Sequence, residues 1–304
     1  MKFLKKHLFN LVSIILIICL SFYVIRFGIK NVIEYEIYKE PSIETRIYSV
    51  WHIETFEGGG KSRLQYVNNV AKQIEKCYPG ILFVIKNVDP ENLETLLSES
   101  TPDIVSFGFG VGKTILPYLC NLDKTFTVRE ELINSGSFNN CLYAIPYVMS
   151  GYALIFHSDT TNTLYCGENG FINPSIVYTG LNLQPQQKDS QYEAYKHFVN
   201  NKNSTLLGSA RDVFRINNLN NLGRTNATIS PIETYTDLIQ YIALTRKDYI
   251  CDLFIEKCLA KDNQISLVEY SLFSSTYNKL YSDGIYNTME NAIYKASIPN
   301  VFYA

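Results

Sequence analysis

The sequence predicts an α/β fold built on a parallel sheet, and two observations support that prediction. Between residues 47 and 107, strand and helix signals alternate as β-α-β-α-β, which requires parallel strands joined by right-handed crossovers. Towards the carboxyl end, apolar residues recur at helical spacing over 247–260 and 284–296. The chain has 304 residues, of which 46% are hydrophobic and 18% charged, so it can form a packed core and has the length of two domains.

Each element of the alternation has its own signal. Residues 47–56 are rich in β-branched and aromatic side chains, which is typical of a strand. Ser62 and Gln65 have the spacing of a capping box, which marks the start of a helix. The elements that follow strand one are a helix from 62 to 78, a buried strand at 81–85, a short helix from 89 to 98 and a strand at 103–107. Residues 160–205 show no strong period, so no element is predicted there.

The first 30 residues predict a transmembrane anchor. Three lysines precede residues 8–25, which carry no charge, and a helix of that length rises about 27 Å, close to the hydrocarbon thickness of a bilayer. Basic residues before the span place the rest of the chain at the extracytoplasmic face of the cell membrane. A cleaved signal peptide and a lipoprotein acylated at Cys19 are the alternatives, although Ile18 stands where a lipoprotein needs a small residue. Residues 31–44 are predicted to be a linker.

Charge and motif content argue against several classes of function. The net charge of −2 gives no general attraction for nucleic acid. The segments GGGKS at 58–62 and GFGVGKT at 108–114 each lack the first glycine of a phosphate-binding loop, which argues against nucleotide hydrolysis. Seven cysteines and four histidines show no metal-ligand spacing, so no metal and no other cofactor is predicted.

Five segments, in order along the chain, resemble a known family. They are WHIETFEGG at 51–59 with the Ser62-Arg63 pair after it, the strand and glycine turn at 102–110, LYAIPYVMSGYALIFHSD at 142–159, GSARDVFR at 208–215 and AKDNQISLVEYSLF at 260–273. Through these segments the chain resembles the extracellular solute-binding proteins of ABC importers, the sugar-binding family with a two-lobed, periplasmic-binding-protein-like (type II) α/β fold. The resemblance covers most of residues 47–297.

The resemblance implies a binding protein rather than an enzyme, with two discontinuous lobes that close by a hinge on a saccharide and present it to an ABC permease. It places lobe one at 45–145 and 240–270, lobe two at 146–239 and 271–304, and the hinge near Pro146 and Tyr235. The chain departs from the family in two ways. Lobe two is short between Asp159 and Tyr192, and the lipobox is absent. The depth of the cleft, the ligand and the docking to a permease therefore stay open.

Open α/β sheets bind ligands outside the carboxyl ends of their strands, which places residues 51–60 and 107–110 at the cleft. Glycines there allow close approach of the backbone, aromatic rings offer faces to a sugar, and charged groups hydrogen-bond its hydroxyls. The predicted ligand-binding residues are Trp51, Glu54, Glu57, Gly58, Gly59, Phe109, Tyr147, Arg211 and Tyr235. A rival hypothesis is a membrane-anchored glycoside-processing enzyme that uses Glu54 and Glu57 as its carboxylate pair. A sensor module that reports ligand to a membrane partner is a third.

Overall fold

A computed structural model of the chain describes residues 15–23, 26, 45–157, 163–167, 170–178, 185–277, 279–282 and 284–303. Residues 46–304 form one compact unit and residues 1–45 another. In the latter, residues 15–23 and 26 are helical, while the rest of the predicted anchor at 1–30 and the linker at 31–44 lie outside the described residues. Within the described residues, no helix is both long enough and apolar enough to cross a membrane.

Strands and helices alternate through most of the second unit. The strands are β1 (Arg46–Ile53), β2 (Ile81–Val88), β3 (Ile104–Phe107), β4 (Ser137–Phe138), β5 (Cys141–Leu142), β6 (Ala144–Met149), β7 (Tyr152–Phe156), β8 (Thr163–Gly167), β9 (Pro185–Lys188), β10 (Ser204–Ser209), β11 (Thr228–Pro231), β12 (Ile239–Leu244) and β13 (Phe273–Ser274). The helices are α1 (Arg63–Cys77), α2 (Leu93–Glu99), α3 (Gly112–Ile115), α4 (Glu130–Ile133), α5 (Ser175–Tyr178), α6 (Gln191–Asn200), α7 (Ala210–Asn221), α8 (Tyr249–Leu259), α9 (Lys261–Ser266) and α10 (Gly284–Lys295). Short 3-10 turns lie at Pro90–Asn92, Leu116–Tyr118, Asn134–Gly136 and Leu267–Tyr270.

Two mixed sheets form the centres of two lobes. The first sheet has the strand order β13-β6-β12-β3-β1-β2, and β1 is parallel to both β2 and β3, as the β-α-β-α-β pattern predicts. The second sheet has the order β11-β7-β10-β8-β9, in which β8 is parallel to β9 and β10. In the first sheet, β12 pairs antiparallel with β3 at the side of the parallel strands, and in the second sheet β7 pairs antiparallel with β10. The two-lobed α/β architecture predicted from the sequence is therefore present.

Strand β1 is buried on both faces because helices cover the first sheet on each side. Tyr48 and Val50 point to one face and pack in the cluster that includes Val67 of α1. Trp51 and Ile53 pack in the cluster on the other side, with residues of α2. Helix α1 begins where the sequence predicts, with Ser62 as its N-cap accepting a hydrogen bond from the Leu64 amide.

The structure differs from the sequence-based expectations in three respects. Strand β2, predicted to be buried, is an edge strand, and its Leu82 and Val84 side chains are 44% and 52% exposed. The region without a sequence period holds β8, α5, β9 and α6. Strand β9 reads PQQK, so backbone pairing with β8 places it in the sheet without an apolar pattern. Strands β6 and β13 both belong to the first sheet, although the predicted boundaries assigned 146–149 and 273–274 to lobe two.

The chain crosses from the first sheet to the second at Ser150 and returns near Leu238, and hydrogen bonds join these two crossings to each other and to Ser297. The Ser150 amide donates to the Leu238 carbonyl (2.7 Å), and the Thr236 hydroxyl donates to the Ser150 carbonyl (2.9 Å). The Thr236 amide donates to the carbonyl of Ser297, which follows α10 (3.0 Å). Tyr235 lies at this junction and pairs with Ser297 in an isolated bridge. Pro146 does not, because it lies within β6, four residues before the crossing.

Candidate ligand-binding cleft

The loop at residues 54–60 joins β1 to α1 and lies between the lobes. Its close packing on the 3-10 turn that ends at Tyr270 requires a glycine at position 59. A Cβ on Gly59 would lie 2.2 Å from the Tyr270 carbonyl oxygen, and the amide of Gly60 donates to the same oxygen at 2.7 Å. The Ser150 hydroxyl donates to the Gly58 carbonyl at 3.1 Å. The loop is therefore attached both to the first lobe and to the crossover.

Two neighbouring cavities share Phe56 and Glu57 of this loop. The inter-lobe cavity, of about 170 Å³, is lined by Phe56, Glu57, Tyr152, Cys166, Gly167, Ile172, Pro174, Ser190, Gln191, Leu207, Gly208, Ser209 and Leu238. The charged pocket, of about 130 Å³, is lined by Glu54, Phe56, Glu57, Gly58, Gly59, Gly60, Lys61, Ser62, Arg63 and Arg211. The first offers rings and aliphatic surface with a few polar groups, and the second offers mainly polar and charged groups.

Phe56 connects the lobes through packing. Its side chain is 5% exposed and belongs to a small cluster whose other members, including Tyr152, Leu207 and Leu238, come from lobe two and the crossover. The Arg63 guanidinium lies over the other side of this ring, 3.9 Å from the ring centroid, and its Nη2 donates to the Phe56 carbonyl. Phe56 is consequently held from both sides of the cleft.

Glu57 faces two arginines of α7 across the cleft. Its Oε2 lies 3.4 Å from Nε of Arg211 and 3.4 Å from Nη1 of Arg215. The contacts are ion pairs, and among the described residues no hydrogen bond reaches this buried oxygen. A ligand hydroxyl in the cleft is the kind of donor that such an oxygen lacks.

Asp212, on the same helix, is fully buried. Its carboxylate accepts hydrogen bonds from the Gln191 side chain (2.8 Å) and the Ser209 amide (3.1 Å), and it pairs with Arg215 at 3.2 Å. Burial raises the pKa of the Asp212 carboxyl to about 6, although these hydrogen bonds and the charge of Arg215 oppose that rise. Asp212 and Ser209 also form the capping box that begins α7.

Glu54 contacts the buried side chains of His52 and Arg63. Its Oε1 lies 3.1 Å from Nε2 of His52 and 3.5 Å from Nε of Arg63. Burial by itself would raise the pKa of the Glu54 carboxyl, but the hydrogen bond from His52 and the positive charge of Arg63 outweigh it and lower the pKa to about 2. Glu54 is thus a permanent carboxylate at neutral pH.

His52 links Glu54 to residues of the first sheet through hydrogen bonds. Burial lowers the pKa of His52, so its ring is neutral at neutral pH, and since a carboxylate only accepts, Nε2 carries the proton. Nδ1 then accepts from the Ser106 hydroxyl at 2.9 Å. Ser106 in turn accepts from the Tyr147 hydroxyl and from Nε2 of Gln240, both at 2.9 Å. The network connects the cleft loop to β3, β6 and β12.

The series Ser106, His52, Glu54 has the residue types of a hydrolytic triad, but its nucleophile is not accessible. Ser106 and His52 are both 0% exposed, so no substrate carbonyl or acetal can approach the hydroxyl. The lowered pKa of Glu54 also makes it unsuited to act as the general acid of a glycosidase, which needs a raised pKa. The geometry gives no support to the rival enzyme hypothesis.

Three predicted aromatic contacts lie in the core instead of the cleft. Trp51 is 5% exposed, Phe109 1% and Tyr147 0%, and none of the three lines either cavity. Side chains alternate between the two faces of a strand, and this alternation directs Trp51 under α2 and Tyr147 against Tyr66 of α1. Phe109 packs edge-on against Tyr241 of β12. The rings that do line the inter-lobe cavity are Phe56 and Tyr152.

The remaining predicted residues divide between cleft and hinge. Glu54, Glu57, Gly58, Gly59 and Arg211 all line the charged pocket. Tyr235 is 8% exposed and its hydroxyl donates to Asp237, which also accepts from the Tyr152 hydroxyl and the Asn173 amide. The cleft residues that the sequence did not indicate are Phe56, Tyr152, Gln191 and Arg215. Phe56, Tyr152 and Arg215 lie within the family-like segments, and Arg215 comes four residues after Arg211, so helical spacing could have found it.

Comparison with known structures identifies the class of fold. The GacH receptor of Streptomyces glaucescens, solved unliganded and with acarbose, is 13% identical, with a TM-score of 0.59 over 82% of this chain and 87% of that chain. A cyclo/maltodextrin-binding protein complexed with maltotetraose is 12% identical, with a TM-score of 0.57 over 87% of this chain and 88% of that chain. Iron-bound HitA from Pseudomonas aeruginosa is 12% identical, with a TM-score of 0.51 over 75% of this chain and 86% of that chain.

At these identities the likeness shows the fold alone, which is the two-lobed fold that these binding proteins share. The resemblance predicted from the sequence motifs is confirmed at that level. No protein-family profile matches the chain, and no curated protein sequence matches it. Among the described residues, no group of three or more His, Cys, Asp or Glu side chains is placed to hold a metal ion.

Proposed function

We propose that the protein is an extracytoplasmic solute-binding protein that captures a saccharide for an ABC importer. The observation that carries the proposal is the cleft loop, which presents Phe56 and Glu57 to lobe two at the junction of two cavities. The fold supports it, because receptors for acarbose and maltotetraose share that fold. The proposed ligand contacts in the charged pocket are Glu54, Glu57, Gly58, Gly59 and Arg211.

A saccharide suits the chemistry of the two cavities. Its apolar ring face matches Phe56 and Tyr152, and its hydroxyls match the side chains of Gln191, Ser209 and Glu57. Binding sites for drug-sized ligands measure about 300–1,000 Å³, and both cavities here are smaller. Cavities of this size favour a small saccharide of one or two sugar units.

The anchor and the partner belong to the same proposal. Residues 8–25 would hold the protein to the outer face of the membrane, beside the permease that receives the ligand. In that case the full chain keeps its amino-terminus and stays with membranes after a high-salt wash. Release of a soluble form that begins after residue 25 would contradict the anchor without affecting the binding function.

A binding screen tests the function directly. Thermal-shift measurements of the protein against neutral and charged mono- and disaccharides, followed by calorimetry on each hit, should identify a saccharide with micromolar or tighter affinity. Binding stabilises the native state by mass action, so at about 100-fold excess over Kd the shift corresponds to about 2.7 kcal/mol. A correctly folded protein that binds no saccharide would overturn the proposal.

A further inference from the structure

Three cationic side chains line the charged pocket, which lies at a helix amino-terminus. Its lining includes Lys61, Arg63 and Arg211 against two carboxylates, Glu54 and Glu57. Both carboxylates are already paired, Glu54 with His52 and Arg63, and Glu57 with two arginines of α7. Lys61 pairs in turn with Glu269 at 3.5 Å, but both of these side chains are exposed, so solvent screens that contact.

The position of these cations is unfavourable for α1 itself. The amino-terminus of a helix carries a partial positive charge, so acidic residues stabilise it and basic residues do the opposite. The first turn of α1 contains no acidic residue, and Lys61 and Arg63 flank its N-cap, Ser62. An anion in the pocket would relieve this repulsion and would also interact with the dipole of the 15-residue helix.

Arg63 supplies a second, independent observation. Its side chain is 2% exposed and lines the pocket, and among the described residues its Nη1 has no hydrogen-bond partner. Buried polar atoms of side chains nearly always have a hydrogen-bond partner, because an unpaired one loses its hydration without compensation. The glycine at position 58 is what leaves room for Nη1, since a Cβ there would lie 2.7 Å from it.

From these observations, and resting on the proposed function, we infer that the charged pocket binds an anionic group of the ligand, so that the preferred ligand is an acidic saccharide. The neighbouring inter-lobe cavity takes the sugar ring beside Phe56, and the anionic group lies against Arg63, Lys61 and the start of α1. A carboxylate, a sulfate and a phosphate share this chemistry, because each offers several acceptor oxygens and a negative charge.

The test is calorimetry with matched pairs of sugars. Each pair consists of a neutral mono- or disaccharide and the same sugar carrying a carboxylate, a sulfate or a phosphate, which also distinguishes the three sources of charge. We expect at least one acidic member to bind about tenfold or more tightly than its neutral partner, the gain typical of a charge-assisted hydrogen bond. Added salt should weaken the binding of the acidic sugar and leave the affinity for the neutral sugar unchanged.

Variants assign the effect to the pocket. Arg63→Met should remove the preference for the acidic sugar, and Lys61→Met, which changes an exposed side chain, should reduce it about threefold. Lys76→Met, at the exposed carboxyl end of the same helix, should leave both affinities unchanged. Arg63→Met also removes the hydrogen bond from Arg63 to the Phe56 carbonyl. If the Arg63→Met variant does not fold, Lys61→Met provides the test.

Three results would contradict the inference, and they are distinguishable. Equal affinity for neutral and acidic partners would refute the anionic preference while the saccharide-binding function stands. Absence of binding by every sugar, neutral or acidic, to a folded protein would refute the proposed function and the inference with it. An acidic preference that survives both Lys61→Met and Arg63→Met unchanged would also contradict the assignment to this pocket.

Discussion

The carboxylate of Glu57 and the guanidinium of Arg211 face each other across the cleft, with Oε2 and Nε 3.4 Å apart. The sequence predicts both as ligand contacts, one from each lobe, with the ligand bridging them. The structure shows that they also bridge each other directly. A ligand entering between the lobes therefore meets an ion pair that it must join or replace.

Glu57→Gln and Arg211→Met should each weaken saccharide binding about tenfold or more, because each removes a charge-assisted contact worth about 1.5–3 kcal/mol. Calorimetry measures the affinity, and Glu94→Gln, an exposed carboxylate on α2, serves as the matched control. A glycosidase would respond differently, since Glu57→Gln would abolish turnover of a chromogenic glycoside while leaving its affinity unchanged. Unchanged affinity in both variants would contradict the placement of the cleft.

Gly59→Ala should destabilise the protein and impair binding together. The added Cβ would lie 2.2 Å from the Tyr270 carbonyl oxygen, so the loop has to move away from the first lobe. Overpacking of this kind costs about 1–3 kcal/mol in the free energy of unfolding, measurable by urea denaturation. Gly170→Ala is the control, because no atom of the described residues lies within 4 Å of the Cβ it adds. Equal stability of the two variants would show that the close approach is not maintained in solution.

Glu54→Gln should lower the free energy of unfolding by about 3 kcal/mol, because it leaves the buried guanidinium of Arg63 without its carboxylate. The partial exposure of Glu54 places this value at the lower end of the range for buried pairs. The double variant Glu54→Gln, Arg63→Met completes a cycle of urea denaturation measurements. A coupling energy near zero would indicate that the ion pair contributes nothing to stability.

Asp212 should make the protein less stable as the pH rises from about 4 to about 6. Its pKa is raised from 3.8 to about 6, so in this range the native state binds more protons than the unfolded state, and stability falls with pH. The full effect is about 3 kcal/mol. Denaturation of Asp212→Asn at several pH values should show that the decline between pH 4 and 6 has gone. Glu54, with its lowered pKa, acts in a separate range, because its contribution is lost only as the pH falls from about 4.5 towards 2.

The elements that could be predicted from the sequence are those in which local signals and burial agree. Helix α1 has a capping residue, an apolar stripe and a Pro-Gly stop, and it was placed to within one residue at each end. Strand β9 has none of these signals, because its four residues join the sheet through backbone hydrogen bonds alone. A local reading of the sequence cannot detect that kind of pairing.

The candidate site was predictable in its loop but not in its rings. Residues 54–60 follow a strand and contain three glycines, which places them at the cleft by topology. Trp51 lies three residues before this loop, and its side chain faces the core. Side chains alternate between the two faces of a strand, and a neighbouring helix covers the face to which Trp51 points. Tyr152 reaches the cavity only through the crossover at Ser150, a long-range relationship that no spacing encodes.

Strand β12 lies between β3 and β6 in the first sheet, although more than 80 residues and the entire second sheet separate it from both in the sequence. During synthesis or export, the ribosome or translocon releases β1, β2, β3 and β6 while the middle position of their sheet is still vacant. The second sheet, at 152–231, is continuous in the chain and can assemble as soon as it emerges. We therefore expect the second lobe to fold first and the first lobe to close around the late-arriving strand, so that truncation before residue 239 leaves only one folded lobe.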